Sequence, residues 1–233
     1  TMTMIKENIS EIQQRIAAAC QRCGRDPKDV TLIAVSKTKP AEAVREAILC
    51  GMADFGENKV QEMCDKMEVI HDPVRWHLIG HLQTNKVKYI VDKAYLIHSV
   101  DSLHLAEKIQ EEAQKKQTDV NILIQVNVAN EATKFGLSAE EAPEIIRSIS
   151  KLPNIHIQGL MTIAPFSETG EENRQFFRKL KQLSVDIAAK NIDNVTMSVL
   201  SMGMSHDFET AIEEGATHVR IGTSIFGERN YNI

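Results

Sequence analysis

The sequence predicts an α/β protein, a closed (β/α)8 TIM barrel that takes up the whole chain. Eight apolar segments of strand length alternate with segments of helical periodicity, and the strands are apolar on both faces, which is typical of a parallel sheet covered by helices. An open doubly wound sheet usually carries a glycine-rich fingerprint after its first strand, and VSKTKP has none. No Pro-, Gly- or Ser-rich linker divides the chain, so we expect one barrel domain over residues 1–233.

The order of elements follows from hydrophobic periodicity. Ile5, Ile9, Ile12 and Ile16 recur at helical spacing, so the chain is predicted to open with an amphipathic helix. The first strand is predicted in VTLIAVSK, followed by a helix in PAEAVREAILC, where Pro40 suits the first turn. The other strands are predicted in ADFGEN, RWHLIG, AYLIHSV, VNILIQVNV, IHIQGLMTIA, VTMSVLSMGM and THVRIGTSIFG. The helices between them are predicted in KVQEMCDKMEVI, TNKVKYIV, SLHLAEKIQEEAQKK, residues 139–151, EENRQFFRKLKQLSVDIAAK and DFETAIEEG.

The composition argues against several classes of function. The net charge is -5 with both signs spread along the chain, and the absence of a basic block argues against nucleic-acid binding. No apolar run approaches the length that spans a bilayer, and the N-terminal TMTMIKENIS has no apolar signal core. We therefore expect a soluble, cytoplasmic protein with no membrane partner, and we expect it to be a monomer.

The cysteines do not predict a metal site. Cys20 and Cys23 form a C-x-x-C pair, but Cys50 and Cys64 do not repeat it, and a zinc site needs two more ligands at suitable spacing. We interpret the pair as two small residues near the end of a helix that Gly24 stops.

Polar residues gather at the predicted C-terminal ends of the strands, where barrels of this kind place their active sites. Taken strand by strand, the residues at these ends are Ser36 and Lys37; Glu57 and Asn58; Gly80 and His81; Ser99 and Asp101; Asn127 and Asn130; Met161 and Thr162; Ser201, Gly203 and Ser205; and Arg220, Gly222, Thr223 and Ser224.

A lysine directly after a buried strand is the first functional candidate. At the barrel mouth the amine of Lys37 would be partly desolvated, which lowers the pKa of a lysine, and a neutral amine can attack an aldehyde to form a Schiff base. The alternative is a strand-end lysine whose amine simply extends into water. Lys39 follows two residues later and is predicted to face the same side, so periodicity alone does not choose between the two lysines.

The second candidate is a phosphate site after strands seven and eight. In SMGMSHDFETAIEEG, serines and a glycine precede a helix start, and RIGTS adds a Gly-Thr turn. Backbone N–H groups and hydroxyls at such a position suit phosphate, and phosphate sites after strands seven and eight recur in these barrels. The alternative is ordinary helix capping by Ser205 or Asp207.

Four further residues have polar side chains that need explaining. Arg220 lies inside an apolar strand in HVRIG, and its charge requires an acceptor, either an Asp or Glu carboxylate or a cofactor ring nitrogen or substrate acid. Asn58 faces the mouth, although it could instead cap a helix. His77 and His81 have metal-like spacing in HLIGH but lack the glutamate of H-E-x-x-H, and we interpret His77 as structural.

These segments together resemble one family along the whole chain. AVSKTKP, FGENKVQE, WHLIGHLQTNK, GLMTIAP, LSMGMSHDFETAI and RIGTSIFGER occur in the order typical of the YggS/PLPBP (PROSC) family, the pyridoxal 5′-phosphate (PLP) homeostasis proteins. The resemblance implies the barrel of the alanine racemase N-terminal domain and PLP as cofactor. It also implies a Schiff base on the lysine that follows AVS, which is Lys37.

The resemblance assigns the remaining site residues by position. Phosphate contacts fall on Ser205, Gly222 and Thr223, with Ser201 close by. Arg220 would face the pyridine nitrogen and Asn58 would lie beside the ring. A cation there disfavours ring protonation and makes the cofactor a poorer electron sink.

The family also implies a role without strong turnover. Related racemases take a catalytic tyrosine from a second domain, which we do not expect here. The sequence therefore predicts a PLP-binding protein of intracellular vitamin B6 and amino-acid homeostasis, with no catalytic residue and with apo PLP enzymes as candidate recipients. A PLP-dependent amino-acid enzyme such as a racemase is the alternative, and a lysine Schiff-base aldolase without PLP is a third, which leaves the phosphate cluster less explained.

Overall fold

The computed structural model describes residues 2–132 and 134–228 of the chain. Eight parallel strands follow one another round a closed barrel in chain order, and β1 pairs with β8 to complete it. This confirms the predicted (β/α)8 barrel. The strands are β1 (Thr31–Val35), β2 (Asp54–Glu57), β3 (Arg75–Leu78), β4 (Leu96–Val100), β5 (Val120–Gln125), β6 (Ile155–Met161), β7 (Val195–Ser201) and β8 (His218–Ile221).

Helices connect the strands on the outside of the barrel. The α-helices are α1 (Met2–Cys23), α2 (Ala41–Leu49), α3 (Val60–Val69), α4 (Leu103–Lys115), α5 (Ala142–Ile149), α6 (Arg174–Ala189), α7 (Phe208–Glu213) and α8 (Thr223–Phe226). The segment between β3 and β4, predicted as a short helix, forms a 3-10 helix over Thr84–Tyr89. Two further 3-10 turns span Pro27–Asp29 and Glu171–Asn173.

The N-terminal helix packs as its periodicity predicts. Ile5, Ile9, Ile12 and Ile16 are all buried, and the helix ends at Cys23. Gly24 then adopts a left-handed backbone with φ of 71°, and the N–H of the next residue bonds back into the last turn. The interpretation of the cysteine pair as part of a helix end is thus confirmed. In the part of the chain that is described, no helix is both long enough and apolar enough to cross a membrane.

Two details of the sequence prediction are wrong. The last strand was expected to run through THVRIGTSIFG, but it ends at Ile221, and Thr223 begins the short helix α8. The strands are also not all apolar on both faces, because Thr196 and Ser198 on β7 are exposed. On the neighbouring strands the Gln158 amide donates to Asn121 at 3.0 Å, so this stretch of the outer barrel surface is polar and faces solvent.

Candidate functional site

All seven predicted site residues come from four strands that are neighbours round the barrel. Ser201 and Ser205 belong to β7 and the segment after it, and Arg220, Gly222 and Thr223 to β8 and the start of α8. Lys37 follows β1 and Asn58 follows β2. Because the barrel closes between β8 and β1, residues from the two ends of the chain meet on one side of the mouth.

Lys37 lies in a turn immediately beyond the end of β1. The N–H of Lys39 donates to Ser36 O at 3.1 Å, which closes the turn, and Thr38 has φ of 60°. The Lys37 side chain is exposed, and its amine has no hydrogen-bond partner among the described residues. The amine is therefore free to react, but the surrounding protein does not desolvate it in the way that the sequence argument expected.

The turn gives Lys37 and Lys39 different surroundings, although strand periodicity predicted that both would face the same side. Strand alternation predicted that Lys39 would face the same side as Lys37, but β1 ends at Val35 and the alternation does not continue through the turn. The Lys39 amine instead donates to Glu228 O at 2.8 Å, at the C-terminal end of the described chain. Lys39 is thus engaged by the protein, whereas Lys37 is not.

A buried charge network holds the Lys37 turn from the side of α3. The Lys66 amine donates to Ser36 O at 2.6 Å and to one carboxylate oxygen of each of Glu57 and Glu62 at 2.8 Å. Glu62 accepts in turn from the Thr38 N–H at 2.6 Å, and Ser36 donates its hydroxyl to Glu57. The sequence analysis missed this support, although a lysine among the buried positions of an amphipathic helix was a usable signal.

Glu57 is the most unusual ionisable group of this network. Its side chain is fully buried, and its Oε1 has no partner among the described residues. Burial raises the pKa of Glu57 to about 7, against the opposing effects of the Lys66 charge and hydrogen bond. Because the folded-state pKa lies above the unfolded value, Glu57 takes up protons on folding, and its contribution to stability falls as pH rises from 4.5 to about 7.

Replacing Lys66 with methionine should therefore destabilise the protein in a pH-dependent way. The variant leaves Glu57 buried without a cation, so we expect a loss of about 3–5 kcal/mol at pH 8 and a smaller loss at pH 5.5, where the carboxyl is protonated. Urea unfolding at the two pH values measures this. Lys115→Met is the matched control and should show little change, because Lys115 is exposed and its partners Glu111 and Glu112, at 3.3 Å, also pair with Lys108. A loss for Lys66→Met that does not depend on pH would contradict a protonatable Glu57.

The predicted phosphate residues meet next to the Lys37 strand. The Thr223 and Ser205 hydroxyls are 3.3 Å apart, although one follows β8 and the other β7. Gly222 lies against β1, where an added Cβ would be 3.2 Å from Val35 O, so a larger residue would crowd the strand. Ala34 pairs with Ile221, which places the Gly222–Thr223 segment beside the chain that leads into the Lys37 turn.

The alternative of helix capping is wrong for this segment. Asp207 is the N-cap residue of α7, but its side chain makes no capping hydrogen bond, and neither does Ser205. The Asp207 carboxylate instead accepts from the Met204 N–H at 2.7 Å and from the Asn173 amide at 2.9 Å. Asp207 thus fixes the loop that carries Ser205, and the Ser205 hydroxyl is left at the surface of the mouth.

Arg220 is buried with its charge but without a carboxylate. Only 3% of the residue is exposed. Its guanidinium donates to Ser201 Oγ at 2.6 Å and to Thr162 O at 2.9 Å, and no ion pair to it occurs within residues 2–132 and 134–228. Burial lowers the pKa of Arg220 to about 10, so it stays cationic at neutral pH. Of the two predicted acceptors, the Asp or Glu carboxylate is therefore wrong.

Ser201 and His77 belong to one hydrogen-bonded chain beneath Arg220. Ser201 Oγ lies 3.0 Å from His98 Nδ1, His98 Nε2 lies 2.9 Å from His77 Nδ1, and His77 Nε2 lies 2.8 Å from Asp54 Oδ1. We call these four residues the histidine chain. His77 is structural, as predicted, while the fully buried Ser201 hydroxyl contacts Arg220 from below. Sequence reasoning missed His98 and Asp54.

Asn58 lies at the mouth and does not cap a helix. The N-cap residue of α3 is Lys59, and no side chain caps it, so the capping alternative is wrong. Gly80 allows the Asn58 loop to approach, because a Cβ on Gly80 would be 2.4 Å from Asn58 O. His81, the residue after Gly80, stacks on Phe135 with ring centroids 3.8 Å apart. Asn58 and His81 line the same pocket beside the start of α3.

These groups suit a particular kind of ligand. A free primary amine can bond covalently to an aldehyde, and paired hydroxyls beside a glycine turn can bind a phosphate. A buried guanidinium with unused N–H groups can donate to a ring nitrogen or an anion. Together these groups could hold a phosphorylated aldehyde.

The chain matches known proteins along almost its whole length. The family description that fits it is "Alanine racemase, N-terminal domain", over residues 5–230. A protein of Aquifex aeolicus called "Pyridoxal phosphate homeostasis protein" is 48% identical over 226 residues, covering 97% of this chain and 98% of that protein. A protein of the same name from Pseudomonas aeruginosa is 44% identical over 99% of this chain and 98% of its own length.

Solved structures give the same result. PipY of Synechococcus elongatus, solved with PLP bound, superposes with a TM-score of 0.83 at 34% identity, covering 96% of this chain and all of that one (100%). Alanine racemase from Corynebacterium glutamicum superposes with a TM-score of 0.76 at 14% identity, and the chain covers 62% of it, which shows the shared fold alone. The sequence matches and the shared barrel place this chain in the family of the pyridoxal phosphate homeostasis proteins.

Proposed function

We propose that this protein binds PLP at the mouth of its barrel and acts in PLP and amino-acid homeostasis. The observation that carries the proposal is the combination, on adjacent strands, of the unpartnered Lys37 amine, the Ser205–Thr223 hydroxyl pair and the buried Arg220 cation. An aldehyde, a phosphate and a pyridine nitrogen are the three groups of PLP that these residues would bind. PLP supplies an aldehyde able to form a Schiff base with an amine.

Different residues of the protein would bind the aldehyde, the phosphate and the ring of PLP. Lys37 would hold the aldehyde carbon as a Schiff base, and the network of Lys66, Glu57 and Glu62 would fix the turn that presents it. Ser205 and Thr223 would donate to the phosphate, and Gly222 would let the turn that carries Thr223 pack closely against β1. Arg220 would donate to the ring nitrogen, and Asn58 would lie against the ring.

This arrangement favours a holder of PLP over an amino-acid enzyme. Arg220 is cationic, and a cation beside the pyridine nitrogen keeps the ring unprotonated and therefore a weaker electron sink. A racemase also needs an acid–base group on each side of the substrate carbon, and the Lys37 amine has no hydrogen-bond partner among the described residues that would act with it. Release to apo PLP enzymes and a cytoplasmic location, where the four free cysteines would stay reduced, complete the proposal.

The experiment that tests the proposal is a titration of the purified protein with PLP. Binding should give a visible absorption band that borohydride removes, and pyridoxal without phosphate should bind much more weakly. If PLP and pyridoxal bound equally, the proposed phosphate site would be wrong. Inversion of alanine or serine at ordinary enzyme rates would favour the racemase alternative.

Ser205→Ala and Thr223→Val should each weaken PLP binding without removing the bond to Lys37. A hydrogen bond to a charged group contributes about 1.5–3 kcal/mol, so a tenfold or larger increase in Kd is expected for each variant. Equilibrium dialysis gives Kd, and borohydride labelling reports on Lys37. Ser198→Ala, an exposed serine on β7 away from the mouth, is the matched control. Unchanged Kd values in both test variants would exclude the proposed phosphate contacts.

A further inference from the structure

The histidine chain crosses the barrel interior from one end to the other. It begins at Asp54, the first residue of β2, and ends at Ser201, the last residue of β7. Asp54 is held at its outer side by Arg75, whose guanidinium donates to both carboxylate oxygens at 2.7–2.8 Å. At the other end Ser201 accepts from Arg220. A carboxylate and a guanidinium therefore stand at opposite ends of a row of neutral hydrogen-bonding groups.

Counting the hydrogens fixes the direction of every bond in the chain. Arg220 can only donate, so Ser201 Oγ accepts from it and the single Ser201 hydrogen goes to His98 Nδ1. His98 must then carry its hydrogen on Nε2 and donate to His77 Nδ1. His77 in turn carries its hydrogen on Nε2 and donates to Asp54. All bonds point from Arg220 toward Asp54.

The reverse arrangement would leave a hydrogen without an acceptor. If His77 donated to His98, then His98 would donate to Ser201 Oγ, which already accepts from Arg220. The Ser201 hydroxyl would then have no acceptor among the described residues. The ionisation of His98 and Asp54 agrees with the forward direction. Burial holds the pKa of His98 well below its usual value, and the nearby Arg220 cation lowers it further, so His98 is neutral. Burial raises the pKa of Asp54, but the hydrogen bonds from His77 and Arg75 outweigh it and bring the pKa to about 2.

We propose that Asp54, His77 and His98 are positioning residues that set Arg220 as a hydrogen-bond donor to the ring nitrogen of PLP; the inference rests on the proposed function. The Ser201 hydroxyl has one hydrogen, which it donates to His98 Nδ1. The Ser201 oxygen therefore always accepts from Arg220. With Thr162 O as the second acceptor, two of the five guanidinium N–H groups are fixed and three are left for a ligand.

The chain also links Arg220 to a carboxylate without placing one beside it. An aspartate in contact with Arg220 would neutralise the guanidinium and compete with a ligand for its N–H groups. Asp54, which is itself paired with Arg75, is connected to Arg220 only through three intervening side chains whose dipoles all point the same way, an arrangement in which hydrogen bonds polarise one another. The remaining N–H groups of Arg220 therefore stay available for a ligand.

The first experiment measures the histidine tautomers in protein without PLP. In ¹⁵N spectra, His77 and His98 should both be neutral and protonated on Nε2. His98 protonated on Nδ1 would reverse the chain and overturn the inference. Because this measurement involves no cofactor, it is independent of whether the protein binds PLP.

The second experiment separates positioning from a general structural role. His98→Gln removes the acceptor at the Nδ1 position, whereas His98→Asn retains an acceptor there and loses only the link to His77. The probes are PLP and its 1-deaza analogue, in which a C–H replaces the ring nitrogen. His98→Gln should raise Kd for PLP about tenfold and leave Kd for the deaza analogue unchanged, while His98→Asn should stay closer to wild type for both.

The outcomes are distinguishable. Equal weakening of both ligands by His98→Gln, or no weakening of either, would show that the chain does not act through the ring nitrogen. His156→Gln is the control, because His156 lies on β6 and bonds to Asn194 outside the chain. A wild-type protein that bound neither probe would overturn the proposed function and this inference with it. If His98→Gln did not fold, His98→Asn and the tautomer measurement would still decide the direction of the chain.

Discussion

Lys37→Ala is expected to abolish covalent capture of PLP completely while leaving the fold intact. The Lys37 side chain is exposed and makes no hydrogen bond to the described residues, so its truncation removes no buried contact. It does remove the amine that would bond to the aldehyde. Borohydride reduction of the wild-type protein with PLP, followed by digestion and mass spectrometry, should place the pyridoxyl group on Lys37. The variant should carry none, and its melting temperature should match that of wild type.

Lys39→Ala is the matched control for that result. Lys39 is two residues away and its amine is bonded to Glu228 O at 2.8 Å, so it should remain unmodified and its loss should leave labelling of Lys37 unchanged. Label found on Lys39 alone in the wild-type protein would show that the wrong lysine has been assigned. A Lys37→Ala protein that still lost its visible band on reduction would lead to the same conclusion.

The position of the candidate site was predictable from the sequence because barrel topology alone determines which strand ends lie together. Once eight parallel strands are recognised, their C-terminal ends must share one rim, so Lys37, Arg220 and Thr223 could be brought together although 183 positions separate the first two. The argument depends only on where each strand ends. It failed for Lys39, since strand alternation says nothing about a side chain once the backbone turns at Thr38 with φ of 60°.

The interior of the barrel was not predictable in the same way. A polar residue inside an apolar strand, such as His98 in LIHSV, indicates that some buried partner exists but not which one. Its partners come from β3 and from Ser201, which is 103 positions away. Side-chain reach across a closed barrel depends on stagger and side-chain conformation, and neither can be derived from periodicity. The same holds for Lys66, whose contacts with Glu57 and Ser36 link a helix to β2 and to the turn after β1.

The barrel interior also differs from the apolar layers that are usual in this fold. Leu96, Leu123, Met161 and Val199 form a small apolar cluster on β4 to β7. His77, His98, Ser201 and Arg220 add a buried hydrogen-bonded chain. Buried polar groups of this kind cost free energy unless each is satisfied. Every polar atom of the chain that was assigned above has a partner, so the chain can be kept for the positioning of Arg220 without a large cost in stability.

Arg220→Glu should increase the rate at which a bound amino acid exchanges its α-proton. Arg220 is a cation, and a carboxylate in its place would favour protonation of the ring nitrogen and make PLP a better electron sink. Deuterium exchange into alanine or serine, corrected for PLP occupancy, measures the effect. We expect an increase of about tenfold or more, which corresponds to about 1.4 kcal/mol in the barrier. Arg220→Gln, which removes the cation without adding an anion, should give a smaller increase.

Loss of folding in Arg220→Glu is the main confounder of the exchange measurement, and the structure indicates which contacts would be lost. A glutamate at this position would place a carboxylate next to Thr162 O, which now accepts from Arg220 at 2.9 Å. Ser201 would turn its hydrogen toward the carboxylate and leave His98 Nδ1 without a donor. A buried unpaired carboxylate can cost about 3–5 kcal/mol, so thermal stability and PLP occupancy must be measured with the exchange rate. If the folded, PLP-loaded variant exchanged no faster than wild type, the ring nitrogen would not be what restrains this cofactor. A missing acid–base group on the other face of the substrate carbon would then be the better physical explanation.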